Sequence, residues 1–247
     1  MRRTIILCIA AIVALSACTV NEGEKHSPIQ IGRGIATWTQ EHIRYINHSL
    51  YQISVVDHYL ATDPALREEE MGNDIKNLVI ERDEATGVIR VGSSYDDGAT
   101  VYYSMTIATD GRLLSEGGTW NVNNNQYVVA TNSDGMTATI TNDYKADLPT
   151  KVRAKLTFEE FGYEPNKGAR FTYNGAINIE EQATYKHTLA IDIIESIEYK
   201  GRRIAAGELD VDYNYSANGH IDEVYMTYDD SGEIKVDFLG ESCTVHQ

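Results

Sequence analysis

The chain is predicted to be α+β and mainly β, with an N-terminal helical pair packed on a large antiparallel β-sheet that curls, forms a sandwich or approaches a barrel. Three observations predict this. Apolar residues recur at helical spacing over residues 36–60, then switch to period two from Leu78 onward. Turn dipeptides punctuate the period-two region to its end. The connections between strands are too short for parallel crossovers, so the strands should pair as hairpins.

The N-terminus reads as a leader. Arg2 and Arg3 precede an apolar run over residues 5–15, and Leu15-Ser16-Ala17-Cys18 follows. These four residues match the lipobox of bacterial lipoproteins. That resemblance implies cleavage before Cys18 and lipid attachment to its sulfur. The apolar run is shorter than the roughly 20 residues a spanning helix needs, so the expected link to the bilayer is acyl chains. Residues 19–34 are polar and carry Gly23, Pro28, Gly32 and Gly34, which predicts a tether. The expected organisation is a leader over 1–17, a lipidated tether over 18–35 and one domain over 36–247. Within that domain, helices occupy about 36–72 and the hairpin ladder about 78–240. Two separate domains meeting near Pro149 are the alternative.

The first helix is expected over residues 36–60. Thr37 with Gln40 fits a capping box, and Ile43, Ile46, Leu50, Ile53 and Leu60 share a face. Arg44, Asn47 and Asp57 fall mostly off it. Asp63-Pro64 should start a second helix, with Asp63 as N-cap and Pro64 at the first helical position. Turns are predicted at Asp97-Gly98, Asp110-Gly111, Asp134-Gly135, Asn174-Gly175, Lys200-Gly201, Asn218-Gly219 and Ser231-Gly232. In the strand around Val152, Ala154, Leu156 and Phe158, these residues should face inward, with Lys151, Arg153 and Lys155 outward. Gly111-Arg112 with Gly117 echoes Gly201-Arg202 with Gly207, which suggests two similar β halves.

Composition narrows function. Against 21 Lys and Arg stand 37 Asp and Glu, a formal charge of −16. Such a surface repels phosphates and disfavours nucleic acid as a partner. Of three cysteines, Cys8 lies in the leader and Cys18 is the expected lipidation site, so Cys243 has no intramolecular disulfide partner and is expected as an idle thiol, with an intermolecular pairing as the alternative. No metalloprotease, nucleophile-elbow or phosphate-loop motif is present, and neither a cofactor nor a metal is expected. His42, His48 and His58 fall on different sides of a helix at about 100° per residue. Asp210-x-Asp212-x-Asn214 has the opening spacing of a calcium loop but lacks its glycine and closing glutamate, since Tyr215 and Ile221 stand there. Neighbouring acids such as Glu159 and Glu160 should point to opposite faces of a strand and so not share a cleft. The aromatic candidates for ligand contact are Trp120, Tyr213 and Tyr215.

The lipobox, the tether and the Tyr- and Gly-rich ladder around residues 171–175 and 197–215 together resemble the predicted lipoproteins common in Bacteroidetes-type Gram-negative bacteria. That resemblance, together with the absence of Asp at position 19, implies an outer-membrane lipoprotein, with the leaflet left open. The functional expectation is non-catalytic binding of a glycan, lipid or protein partner at the envelope. A carboxylate-dependent, glycosidase-like hydrolase and a periplasmic lipid carrier are the alternatives.

Overall fold

A computed structural model describes residues 27–94, 101–145, 149–182, 185–216 and 220–247. The leader, Cys18 and the turns at Asp97-Gly98 and Asn218-Gly219 lie outside these residues.

Helix α1 runs over Pro28–Ala61, so it begins well before the expected tether ends. Its start is set by Ser27-Pro28-x-Gln30 and not by Thr37 with Gln40. Gln30 Oε1 accepts the Ser27 N–H at 3.0 Å, and Pro28 occupies the first turn, where its missing N–H costs nothing. The Thr37 hydroxyl instead donates to the Arg33 carbonyl one turn back. Gly32 is helical for a packing reason: a Cβ there would sit 2.6 Å from Cβ of Phe238. The helix stops where Thr62 turns extended and returns its hydroxyl to the His58 carbonyl at 2.8 Å. Pro64 disfavours helix at Asp63.

The expected second helix is shorter than predicted. Asp63 Oδ1 accepts the Ala65 N–H in a turn, and only α2, Arg67–Met71, is α-helical before a 3-10 turn at Gly72–Asp74.

Thirteen strands follow among the described residues. They are β1 (Leu78–Arg82), β2 (Ile89–Ser94), β3 (Val101–Thr109), β4 (Thr119–Val122), β5 (Tyr127–Asn132), β6 (Gly135–Lys145) and β7 (Pro149–Glu164). Then come β8 (Gly168–Gln182), β9 (Lys186–Gly201), β10 (Arg203–Tyr215), β11 (His220–Tyr228), β12 (Glu233–Phe238) and β13 (Glu241–His246). Each pairs antiparallel with its sequence neighbours in one meander, and β1 and β13 are its edges. The sheet is therefore not a closed barrel. The ladder extends past the expected end because Leu239 and Gly240 both adopt positive φ and turn the chain into β13. Leucine at that position is not a turn signal.

Alternation along β7 is as predicted, with Val152, Ala154, Leu156 and Phe158 buried. Asn174-Gly175 is a correction: it is not a turn. β8 runs straight through it, and register shifts there and between Phe158 and Glu160 mark bulges. Gly175 has φ +141°, and a Cβ would drive into the Lys155 carbonyl oxygen. The echo between the two Gly-Arg segments also resolves into different structures. Gly117 ends a 3-10 turn, whereas Gly207 occupies a bulge in β10.

The sheet curls around α1. Arg202, between β9 and β10, lines the same small cleft as Val91 and Gly92 of β2. In a flat sheet, eight strand spacings of about 4.8 Å would hold them roughly 38 Å apart. Bulges supply the bend. Enclosed in this way, α1 buries more than its apolar stripe. Ile35, Ile43, Ile46, Leu50 and Ile53 are in the core, and so are Gln40, Asn47, Ser54 and Asp57. Asn47 and Asp57, expected mostly off the apolar face, are thus inside. Asp57 takes the backbone N–H groups of Leu114 and Ser115 at 2.7 and 3.3 Å.

Candidate functional site

Gln40, Arg44, Asn47, His48 and Tyr51 recur on α1 at three- and four-residue spacing, so they form a second, polar stripe beside the apolar one. This stripe faces the tip of the β9–β10 hairpin. Lys200 pairs with Arg203 across a two-residue loop, and Gly201 at φ +65° takes the position that a tight hairpin turn reserves for glycine. Arg202 and Arg203 are thereby delivered opposite the helix.

Between them lies a cleft of about 470 Å³. The α1 stripe forms one wall, and Tyr199, Arg202, Arg203, Ile204 and Gln247 form the other. Among the described residues, no Asp or Glu side chain lines it. Gln247 ties the C-terminal segment to the hairpin, since its side-chain amide exchanges hydrogen bonds of 2.8 and 3.0 Å with the Ile204 backbone.

Two buried amides form the floor. Gln40 Oε1 accepts from the Tyr228 hydroxyl at 2.7 Å, and Asn47 Oδ1 accepts from the Tyr173 hydroxyl at 2.9 Å. Asn47 is 2% exposed, and its Nδ2 has no hydrogen-bond partner among the described residues.

Asp74 positions one rim. Its carboxylate accepts from Tyr51 (2.6 Å), Tyr163 (2.8 Å) and Arg202 Nη2 (2.9 Å). Burial raises its pKa, but these three donors outweigh burial and hold it below the usual carboxylate range. Burial and the bond to Asp74 push Tyr51 up to about 12. His48 is pushed down by burial and then by the charges of Arg202 and Arg44, so it is neutral at neutral pH.

A second cleft of about 440 Å³ lies near the C-terminal end of α1 and is lined by Asp57, His58, Glu159 and Glu160 among others. The expectation that Glu159 and Glu160 could not share a cleft is corrected here, because the β7 bulge between Phe158 and Glu160 breaks the alternation. All four side chains have partners. Asp57 caps the Leu114 turn, His58 meets Glu70 at 3.1 Å, Glu159 accepts from Ser196 and Glu160 pairs with Arg170.

Of the aromatic candidates, Trp120 is fully buried and its indole N–H donates to the Arg112 carbonyl at 3.0 Å, which leaves no ring face for a ligand. Tyr213 and Tyr215 come together with His187 away from the basic cleft. The Tyr213 hydroxyl lies 2.8 Å from His187 Nδ1, and the His187 and Tyr215 rings are 4.8 Å apart. Trp38 of α1 closes this group edge-on. The three α1 histidines go to three places, as their spacing predicts: His42 to Trp38, His48 to the basic cleft and His58 to Glu70.

Asp210 and Asp212 lie on strand β10, with Glu223 opposite Asp212 on β11. The three carboxylates fall within 4.8 Å of one another and are the group among the described residues that could hold a cation. Burial and then the charges of Glu223, Asp212 and Asp192 raise Asp210. Two cations of the outward basic stripe are neutralised across strands, Lys151 by Glu180 and Arg153 by Asp143, and Lys155 has no ion pair among the described residues.

Comparison with protein-family models, with curated proteins and with solved structures returns no match.

Proposed function

We propose that the chain is a lipid-anchored envelope protein that binds a small glycan in the cleft between α1 and the β9–β10 hairpin, without turning it over. Asn47 carries this reading. A buried amide donor without a partner costs about 1–3 kcal/mol; Asn47 is among the residues lining the cleft, and a ligand oxygen that reaches its Nδ2 would relieve that cost. The volume falls within the range of small-molecule sites, and Tyr51 and Tyr199 line the cleft beside the amides and guanidiniums. No cofactor is needed for binding of this kind.

The anchor in this proposal is Cys18, which follows Leu15-Ser16-Ala17. The membrane partner is reached through its acyl chains, at the outer membrane. An envelope protein is the alternative partner, and the acidic balance argues against nucleic acid. A lipid carrier is less well supported, because Ile43, Leu50 and Ile53 of α1 pack into the concave face where an acyl chain would need room.

Two experiments test this reading. Titration calorimetry of the full-length chain in detergent, against mono- and disaccharides, should give saturable binding. Binding of no sugar, with envelope cross-linking to a protein instead, would replace the glycan with a protein partner. Labelled palmitate should be incorporated by the wild-type chain and not by Cys18→Ser, and labelling of both would remove the anchor.

A hydrolase reading has one observation in its favour, the three carboxylates lining the second cleft. It predicts release of reducing sugar ends, lost in Glu159→Gln or Glu160→Gln.

A further inference from the structure

We infer that the ligand of the basic cleft carries an oxyanion, a carboxylate, phosphate or sulfate, received by Arg44, Arg202 and Arg203. This rests on the proposal that the cleft binds a small glycan, and it names the class: an acidic sugar.

The first ground is a local reversal of charge. Acids outnumber bases 37 to 21 along the chain, yet among the described residues three arginines and no acidic side chain line this cleft. The second ground is what these arginines lack. Some arginines outside the cleft are neutralised by acids, as Arg112 is by Asp110, Arg153 by Asp143 and Arg170 by Glu160, while Arg33 and Arg67 are held by backbone carbonyls. Among the described residues, Arg44 and Arg203 have no ion-pair partner. Arg202 is different and complementary. Asp74 holds one of its nitrogens, which fixes the guanidinium while leaving other N–H donors of the fork free.

The third ground is independent of charge. Asn47 is almost fully buried, lines the same cleft and offers an unpartnered Nδ2 donor. A planar carboxylate or a phosphate can take paired N–H donors from arginine and a further one from an amide. A neutral sugar can satisfy Asn47 but gains little from the arginines, which water already solvates. The mixture of guanidinium, amide and tyrosine fits an acid group on a hydroxylated body.

The test is titration calorimetry of the full-length chain in detergent with D-glucuronate, D-glucose 6-phosphate, D-glucose and inorganic phosphate. The expected result is that at least one acidic sugar binds about tenfold or more tightly than glucose. Arg44→Ala combined with Arg203→Ala should abolish that preference, lowering the affinity for the acidic sugar about tenfold more than the affinity for glucose. Both arginines are exposed, and circular dichroism checks that the variant keeps its fold. Lys155→Ala, on the outer face of β7, should change nothing.

Glucose binding as tightly as the acidic sugars would overturn the inference and leave the glycan reading standing. Inorganic phosphate binding as tightly as glucose 6-phosphate would support the oxyanion site and overturn the sugar as its source. An equal loss in Lys155→Ala would overturn the inference by showing a general charge effect. Binding of none of the four probes at millimolar concentration would overturn the inference and the glycan reading together.

Discussion

Arg202 and Asp74 are 128 positions apart and meet at 2.9 Å. The contact fastens the tip of the β9–β10 hairpin to the 3-10 turn that follows α2. Tyr51 of α1 and Tyr163 of β7 donate to the same carboxylate. One acid therefore joins four segments and holds a cleft arginine in place.

Asp74→Ala should destabilise the protein by about 1–3 kcal/mol, because three donors lose their acceptor. Urea unfolding measures this. The contribution also depends on pH. The folded pKa of Asp74 lies below its unfolded value, so its stabilisation is complete above about pH 4 and is lost as pH falls through the depressed folded value. The stability gap between wild type and Asp74→Asn should narrow in acid, and an equal gap at pH 7 and pH 3 would contradict this.

Tyr173→Phe should cost about 1–3 kcal/mol, more than an exposed hydroxyl would, because it strips Asn47 of its remaining partner. Adding Asn47→Leu should recover most of the loss, since both polar groups are then gone. Denaturant melts of the two single variants and the double variant give the coupling. Additive losses would show that the two side chains do not interact.

Gly32→Val should destabilise by about 1–3 kcal/mol through overpacking against Phe238. In a double variant, Phe238→Ala should cost less than it does alone. A tether at this position would tolerate valine, so an unchanged melting temperature would detach Gly32 from the core.

Asp210→Asn should raise the melting temperature at pH 7, because it removes one of several like charges facing one another across β9, β10 and β11. The folded pKa of Asp210 is raised, so wild type regains this stability as pH falls from the folded value toward the unfolded one, about 4. Thermal melts between pH 7 and pH 4 should therefore show the advantage of the Asn variant shrinking. A lower melting temperature for Asp210→Asn at pH 7 would refute the repulsion.

Much of the architecture was legible locally. The start of the ladder at Leu78 and the inward face of β7 follow from period-two alternation, which one buried sheet face imposes. The turns at Lys200-Gly201 and Ser231-Gly232 follow from glycine's access to positive φ. Asn174-Gly175 carries the same chemistry and misleads, because a bulge needs that backbone freedom too. Gly32 reads as tether for a similar reason. Its missing side chain is explained by Phe238, which lies far along the chain.

The cleft was less legible. Its α1 half leaves a periodic polar stripe, Gln40, Arg44, Asn47, His48 and Tyr51, which helical spacing alone could have exposed. Burial of Asn47 could not be read this way, because polarity at helical spacing ordinarily marks a solvated face. Trp120, Tyr213 and Tyr215 are alike in the sequence as aromatics, and only packing separates a core indole from a surface ring.

By itself the sequence determined a helix followed by an antiparallel meander, because hydrophobic period and turn chemistry act between near neighbours. It also determined the strongly acidic balance and the motif around Cys18. The tertiary structure alone decided that the sheet curls around α1, that Arg202 and Arg203 face Arg44, and that Asn47 keeps an unpaired donor on the floor of their cleft. Those relationships join residues more than a hundred positions apart. They depend on the accumulated bend of many strands and bulges, which no local pattern encodes.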